Sequence, residues 1–199
     1  MSAFRLSSLS AIRLVSLTAF TLASLSLTTP ASADSKPYQR SVEKYAMPDV
    51  TLINQDGNKV RFKNFLSADK PVVVDFIFGT CTTICPILSA GYASLQQRLG
   101  KDTGKVHLVS ISIDPENDTP AVLKDYLKRY RSKPGWDFLT GSRKDIDRVM
   151  KAFNANIPDK MSHYALTFIR MPKEDNWIRI NGMMRTSEFL VECQKAGIR

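Results

Sequence analysis

The stretch PVVVDFIFGTCTTICPILSAGYASLQQRLG, residues 71–100, decides the fold. Its first part, PVVVDFIFG, is a short apolar run rich in β-branched and aromatic side chains, the composition of a buried strand. The run ends at Gly79, and a loop carrying Cys81 and Cys85 follows. From about Pro86 the period changes. Leu88, Tyr92, Leu95 and Leu99 recur at helical spacing, and Gly100 stops the helix. A strand, a cysteine loop at its carboxyl end and an amphipathic helix make the first half of a βαβ unit.

The second half follows directly. VHLVSISID (106–114) is a second buried strand, and DTPAVLKDYLKRY (118–130) a helix with Thr119 as N-cap and Pro120 in first position. DFLTG (137–141) reads as a short strand. Ser142 caps a third helix, with Ile146, Val149, Met150 and Phe153 on one face. YALTFIRM and WIRING form a hairpin around the polar turn 173–176, and Thr186 opens a last helix. Upstream, DVTLINQDGNKVRF (49–62) is a hairpin around Asp56-Gly57. Strands alternating with helices predict an α/β domain, a central mixed sheet flanked by helices, with a parallel crossover between the first two buried strands. The order of elements is that of a thioredoxin-like fold. In open sheets of this kind ligand sites lie at the carboxyl ends of strands, where the cysteine loop sits.

Residues 1–33 read as an export signal peptide. Arg5 and Arg13 form a thin positive start, no charge occurs from Leu14 to Ala33, and Ala31-Ser32-Ala33 fits cleavage before Asp34. The alternative is an uncleaved anchor, since the uncharged run is long enough to span a bilayer. Residues 34–44 read as a flexible leader and 45–199 as the folded domain. The formal charge of the 199-residue chain is +9, about +7 without the signal. Lysine and arginine are scattered among acidic residues. This excludes a nucleic-acid stripe and suits a solvated surface facing an acidic protein or, peripherally, an acidic membrane.

Three cysteines are too few for a disulfide-stapled fold, and at most one internal pair can form. Cys81 and Cys85 are four residues apart. On a regular helix their Cβ atoms stand about 5–6 Å apart, too far for a disulfide, which wants about 3.5–4.5 Å. A bridge therefore needs Cys81 in the loop, whereas a metal tolerates the wider spacing. A nearby helix N-terminus favours thiolates for either purpose. The spacing is not the C-x-x-C of dithiol oxidoreductases. Thr82 and Cys85 give T-x-x-C, but Phe78 stands where a peroxiredoxin-like motif would place proline. The two histidines divide. His107 lies within a core strand and reads as a structural residue. His163 follows the polar stretch IPDKMS, in a loop able to fold over the cysteines. Both cysteines are expected in an exposed loop. Cys193 falls on the apolar face of the last helix and reads as a buried inert thiol.

FIFGTCTTICP, with SISIDPENDTP about thirty residues on and a histidine just before a late strand, resembles the Sco/SenC family of exported, thioredoxin-like copper proteins of cytochrome oxidase assembly. The likeness covers about residues 45–195. It implies that Cys81, Cys85 and His163 bind one copper ion. Soft thiolates favour Cu(I), and imidazole suits either copper state. Structural zinc would want a fourth ligand. The family often has an acidic residue directly before the histidine, where this chain has Ser162, with Asp159 four residues before His163. Many relatives are membrane-anchored, whereas this signal reads as cleavable. Asp114 and Asp118 read as turn and cap residues, and Met161, Met183 and Met184 as thioethers more suited to packing than to ligation. The implied function is a metallochaperone passing copper to a subunit of cytochrome c oxidase or another cuproenzyme. The alternative is a thiol–disulfide oxidoreductase that reduces the cysteines of a copper-site partner. Either role in an oxidising compartment calls for a separate thiol reductant protein.

Overall fold

The computed structural model describes residues 37–67, 69–155 and 157–199. The stretch read as an export signal lies outside the described residues. Three strands come first: β1 (Tyr38–Lys44), β2 (Thr51–Asn54) and β3 (Lys59–Arg61). The single-turn helix α1 (Phe62–Leu66) follows, then the apolar strand β4 (Val72–Ile77). Helix α2 (Cys85–Leu99) ends at Gly100, which has positive φ, and a 3-10 segment leads to β5 (His107–Ser112). Next come α3 (Pro120–Arg129), β6 (Trp136–Thr140), α4 (Arg143–Ala152), β7 (Leu166–Arg170), β8 (Asn176–Gly182) and α5 (Thr186–Lys195). Thr119 and Ser142 cap α3 and α4, their side chains accepting from the N–H groups of Val122 and Asp145.

The strands form one mixed sheet in the order β1-β8-β7-β4-β5-β6-β2-β3. β4, β5 and β6 are parallel; the flanking strands run antiparallel to their neighbours. Every residue of β4 and β5 is buried. Side chains of β4 alternate between the faces. Phe76 packs with Phe153 and Phe168 on the face that α1 closes with Phe62. On the other face Tyr92 of α2 stacks on Phe189 of α5, and Tyr126 of α3 meets Phe138. At Gly91 α2 packs tightly on α5: an added Cβ would lie 3.1 Å from the Phe189 ring.

The flexible leader expected over residues 34–44 is corrected. From Tyr38 onward it is β1, in antiparallel register with β8 along its whole length, Tyr38 to Gly182 and Lys44 to Asn176. An edge strand is held by backbone bonds, so its side chains face solvent and carry no apolar alternation. Tyr38 is the exception; its hydroxyl donates to the buried Glu192 carboxylate on α5. Among the described residues no helix is long and apolar enough to cross a membrane.

Candidate metal centre

The loop after β4 carries Gly79, against which Asp118 packs closely. The Gly79 N–H donates to both carboxylate oxygens of Asp118 at 3.1 Å. A Cβ there would lie 2.6 Å from Asp118 Oδ1, so only glycine fits. The Cys81 N–H closes a turn onto the Phe78 carbonyl, and Cys85 opens α2 with Pro86 behind it. Cys81 therefore lies outside the helix and Cys85 inside it.

The expected exposure of the cysteines is corrected too. Cys81 is 9% exposed and Cys85 0%. The polar sequence TCTTIC hides this because Thr80, Thr82 and Thr83 take the solvent side while the sulfurs turn inward.

His163 arrives from the opposite side, after a short 3-10 turn (Lys160–Ser162). Its Nδ1 stands 3.8 Å from Cys85 Sγ. The donor atoms of Cys81, Cys85 and His163 all lie within 4.8 Å of one another. His163 Nε2 is buried without a hydrogen-bond partner. One ring nitrogen thus meets a sulfur while the other is left unpaired, which is uncommon in a finished core. Metal bonds of about 2.3 Å to thiolate and about 2.0 Å to imidazole suit such a gap. The three residues that the motif and the resemblance singled out thus meet at one point. His107 does not join them. Its Nε2 bonds Asp137 at 3.0 Å and its ring packs on Phe65, at the far end of β5.

The thiols are electrostatically unequal. Burial works against the Cys81 thiolate, but hydrogen bonds from the Cys85 side chain and from the backbone of Cys85 and Thr83 outweigh it and hold its pKa below the usual value. Burial pushes the Cys85 thiol up, and the neighbouring Cys81 adds to this. Burial also lowers His163 to about 4, with the Phe76 backbone working weakly in the other direction, so the ring is neutral at physiological pH. A neutral ring keeps a lone pair available to a metal.

What the sequence missed is the scaffold. Asp118 holds the cysteine loop through Gly79 and also accepts from Ser112 Oγ at 2.5 Å. Asp114 holds the histidine loop: Lys160 Nζ lies 2.7 Å from its carboxylate, and the same ammonium lies over the Phe78 ring. The two carboxylates read as turn residues thus tie both halves of the site to the loop after β5. The turn role is real as well, since the Asp114 carbonyl accepts from Asn117 and Asp118. Only the DPENDTP segment itself hinted at more than a turn. Of the methionines, Met184 is buried and Met161 is exposed.

The comparisons with known proteins bear on this arrangement. The family model described as SCO1/SenC matches residues 39–193. The chain belongs to the SCO1/SenC family. A SCO1 protein homolog of Bacillus subtilis (strain 168) is 39% identical over 114 residues, 56% of this chain and 58% of that one. Protein SenC of Rhodobacter capsulatus is 33% identical over 105 residues, 53% of this chain and 46% of that one. The chain spans about half the length of the curated relatives it matches. Among solved structures, BsSco superposes with a TM-score of 0.63 at 30% identity, covering 78% of this chain and 95% of that one. BsSco is described as a member of the Sco family of cytochrome c oxidase assembly proteins with a disulfide switch. Arabidopsis thaliana ScoI with copper bound superposes with a TM-score of 0.61 at 25% identity, covering 75% and 96%. The mixed sheet with flanking helices is the thioredoxin-like fold of these Sco structures.

A second anomaly lies in β4. Asp75, mid-β4, is wholly buried, and neither carboxylate oxygen has a hydrogen-bond partner. Burial pushes its pKa up to about 7, and Ser110, opposite it on β5, offsets this only in part. Across the interface its charge acts on Tyr92 and Cys85 of α2. The folded chain keeps a proton that the unfolded chain releases near pH 4. The stability from this group is therefore full below about pH 4 and is lost as pH rises to about 7. Asp75→Asn is expected to remove that loss. The difference in unfolding free energy between variant and wild type should shift by a few kcal/mol in favour of the variant from pH 4 to pH 8. Urea unfolding across that range checks it, and parallel pH profiles would assign the titration to another group.

Proposed function

We propose that this protein binds one copper ion through Cys81, Cys85 and His163 and passes it to a subunit of cytochrome c oxidase or to another cuproenzyme. The observation that carries the reading is the meeting of two buried sulfurs and a neutral imidazole within 4.8 Å. Two soft thiolates suit Cu(I), and the imidazole extends the set to Cu(II). The copper-bound Arabidopsis relative supports the choice of metal, and the description of BsSco supports the assembly role. Within the site the Cys81 and Cys85 sulfurs would hold the ion and His163 would complete the set, with Phe78 on the wall of the cavity. The export signal read over residues 1–33 supports a place of work outside the cytoplasm, with any membrane contact peripheral or through an uncleaved signal.

A second reading is a thiol–disulfide oxidoreductase that reduces the cysteines of a copper-site partner. The unequal acidity of Cys81 and Cys85 favours it, since one more acidic and one less acidic thiol suit attack and release in exchange. Metal analysis of reduced, reconstituted protein beside a disulfide-reductase assay separates the two. One bound copper without turnover supports the chaperone; turnover without retained copper supports the reductase.

His163→Ala is expected to weaken Cu(II) binding far more than Cu(I) binding. Two thiolates alone can hold Cu(I), whereas Cu(II) prefers nitrogen in a tetragonal set. Electron paramagnetic resonance of the Cu(II) form and Cu(I) competition titrations check this; an unchanged Cu(II) spectrum would move the nitrogen ligand elsewhere. His107→Ala is the control. His107 and the cysteine loop lie at opposite ends of the paired strands β5 and β4, about 16 Å apart at the strand rise. It should leave both spectra intact while costing about 1–3 kcal/mol, since Asp137 Oδ2 loses its partner and keeps only the Gln55 bond on Oδ1.

A further inference from the structure

Met161 is 79% exposed, although methionine ordinarily fills gaps in cores. It stands two residues before His163 and lines a cavity of about 140 Å³ together with Phe78, Cys81, Lys160 and His163. Its backbone is fixed. The Met161 N–H donates to the Asp159 carboxylate at 3.1 Å, the His163 N–H donates to the Lys160 carbonyl, and Lys160 is tied to the buried Asp114. The turn thus holds a polarisable side chain at the cavity mouth, where it contributes nothing to the core.

The sulfurs form a graded series inward: Met161 at 79% exposure, Cys81 at 9% on the cavity wall, and Cys85 at 0% behind it. Cys85 does not line the cavity, so an ion entering it meets Met161, Cys81 and His163 before Cys85. We propose that Met161 is the entry and exit ligand of the site, its thioether holding Cu(I) in transit between a carrier and the two thiols. The inference rests on the copper reading above. A thioether is a soft donor suited to Cu(I). It is neutral, needs no deprotonation, and holds the ion weakly enough to release it. Copper keeps its oxidation state throughout. Its bond to the thioether breaks as bonds to Cys81 and Cys85 form, and each thiol gives its proton to solvent.

The test is stopped-flow transfer of Cu(I) from its bicinchoninate complex to the reduced protein, followed by loss of the complex's colour. Met161→Leu keeps size and apolar character and removes the sulfur; Met161→Ala removes both. Each variant is expected to take up Cu(I) about tenfold more slowly, a barrier increase of roughly 1.4 kcal/mol. Equilibrium Cu(I) affinity should stay within about threefold of wild type. A Met161→Leu protein with wild-type transfer rates overturns the proposal, because an apolar knob would then suffice. A loss of affinity as large as the loss of rate overturns it as well, since Met161 would then be a resident ligand. A wild-type protein that takes up no copper removes the copper reading and this inference together, whereas normal wild-type uptake with unchanged variant kinetics removes this inference alone.

Discussion

Cys85→Ser is expected to abolish stable copper binding and to destabilise the apoprotein at the same time, whereas Cys81→Ser abolishes binding at a smaller structural cost. Both changes replace a soft sulfur by a hard hydroxyl, and two remaining donors make an incomplete site. The stability difference comes from position. Cys85 opens α2 with its side chain wholly buried, so a serine hydroxyl there loses water without an assured partner, a cost of about 1–3 kcal/mol. Cys81 lies in the loop against the cavity, with Thr83 Oγ1 at 3.7 Å and solvent within reach. Metal analysis after reconstitution and desalting reads the first effect, and thermal unfolding of the apoproteins reads the second. Wild-type copper content in both single variants would remove the site. Equal apoprotein stabilities would remove the claim that Cys85 belongs to the core.

The elements around this site were legible to different degrees, for physical reasons. β4, β5, α2 and the caps of α3 and α4 announce themselves because burial on both faces, helical period and an N-cap side chain each leave a local pattern. β1 leaves none: its partner β8 lies well over a hundred residues away and is met only through backbone. α1 is a single turn with Phe62 and Leu66 buried, too short for a period to show. The meeting of His163 with the cysteines is a tertiary fact. Spacing only made it eligible, and the resemblance to Sco/SenC proteins made it expected. The burial of Cys85 and the anchoring by Asp114 and Asp118 went unseen for the same reason. A threonine-rich loop reads as exposed, and an Asp-Pro turn as a turn, until the neighbours from β5 and the histidine loop are in place.

Copper uptake is expected to depend on prior reduction of the protein. Metal binds thiolates and not disulfides, so a bond between Cys81 and Cys85 closes the site. The placement of the two sulfurs meets the first requirement of such a bond. Cys85 is fixed in α2, but Cys81 sits in the loop before it, and their sulfurs already lie within 4.8 Å. The more acidic Cys81 thiolate is the sulfur poised to attack a partner disulfide or to be oxidised first. Cys193 offers no rescue. It is 0% exposed within α5, and burial pushes its pKa up to about 12, so it is neither accessible nor ionised. The reduced protein should therefore take up one copper and the oxidised protein none, and Cys193→Ser should match wild type in both states. In an oxidising compartment the cell would then need a dedicated thiol reductant upstream of copper loading. Titrating copper into oxidised and reduced protein while counting free thiols decides the matter. Equal stoichiometric uptake by protein that has no free Cys81 or Cys85 thiol would disprove thiolate ligation, and with it the dependence of loading on reduction.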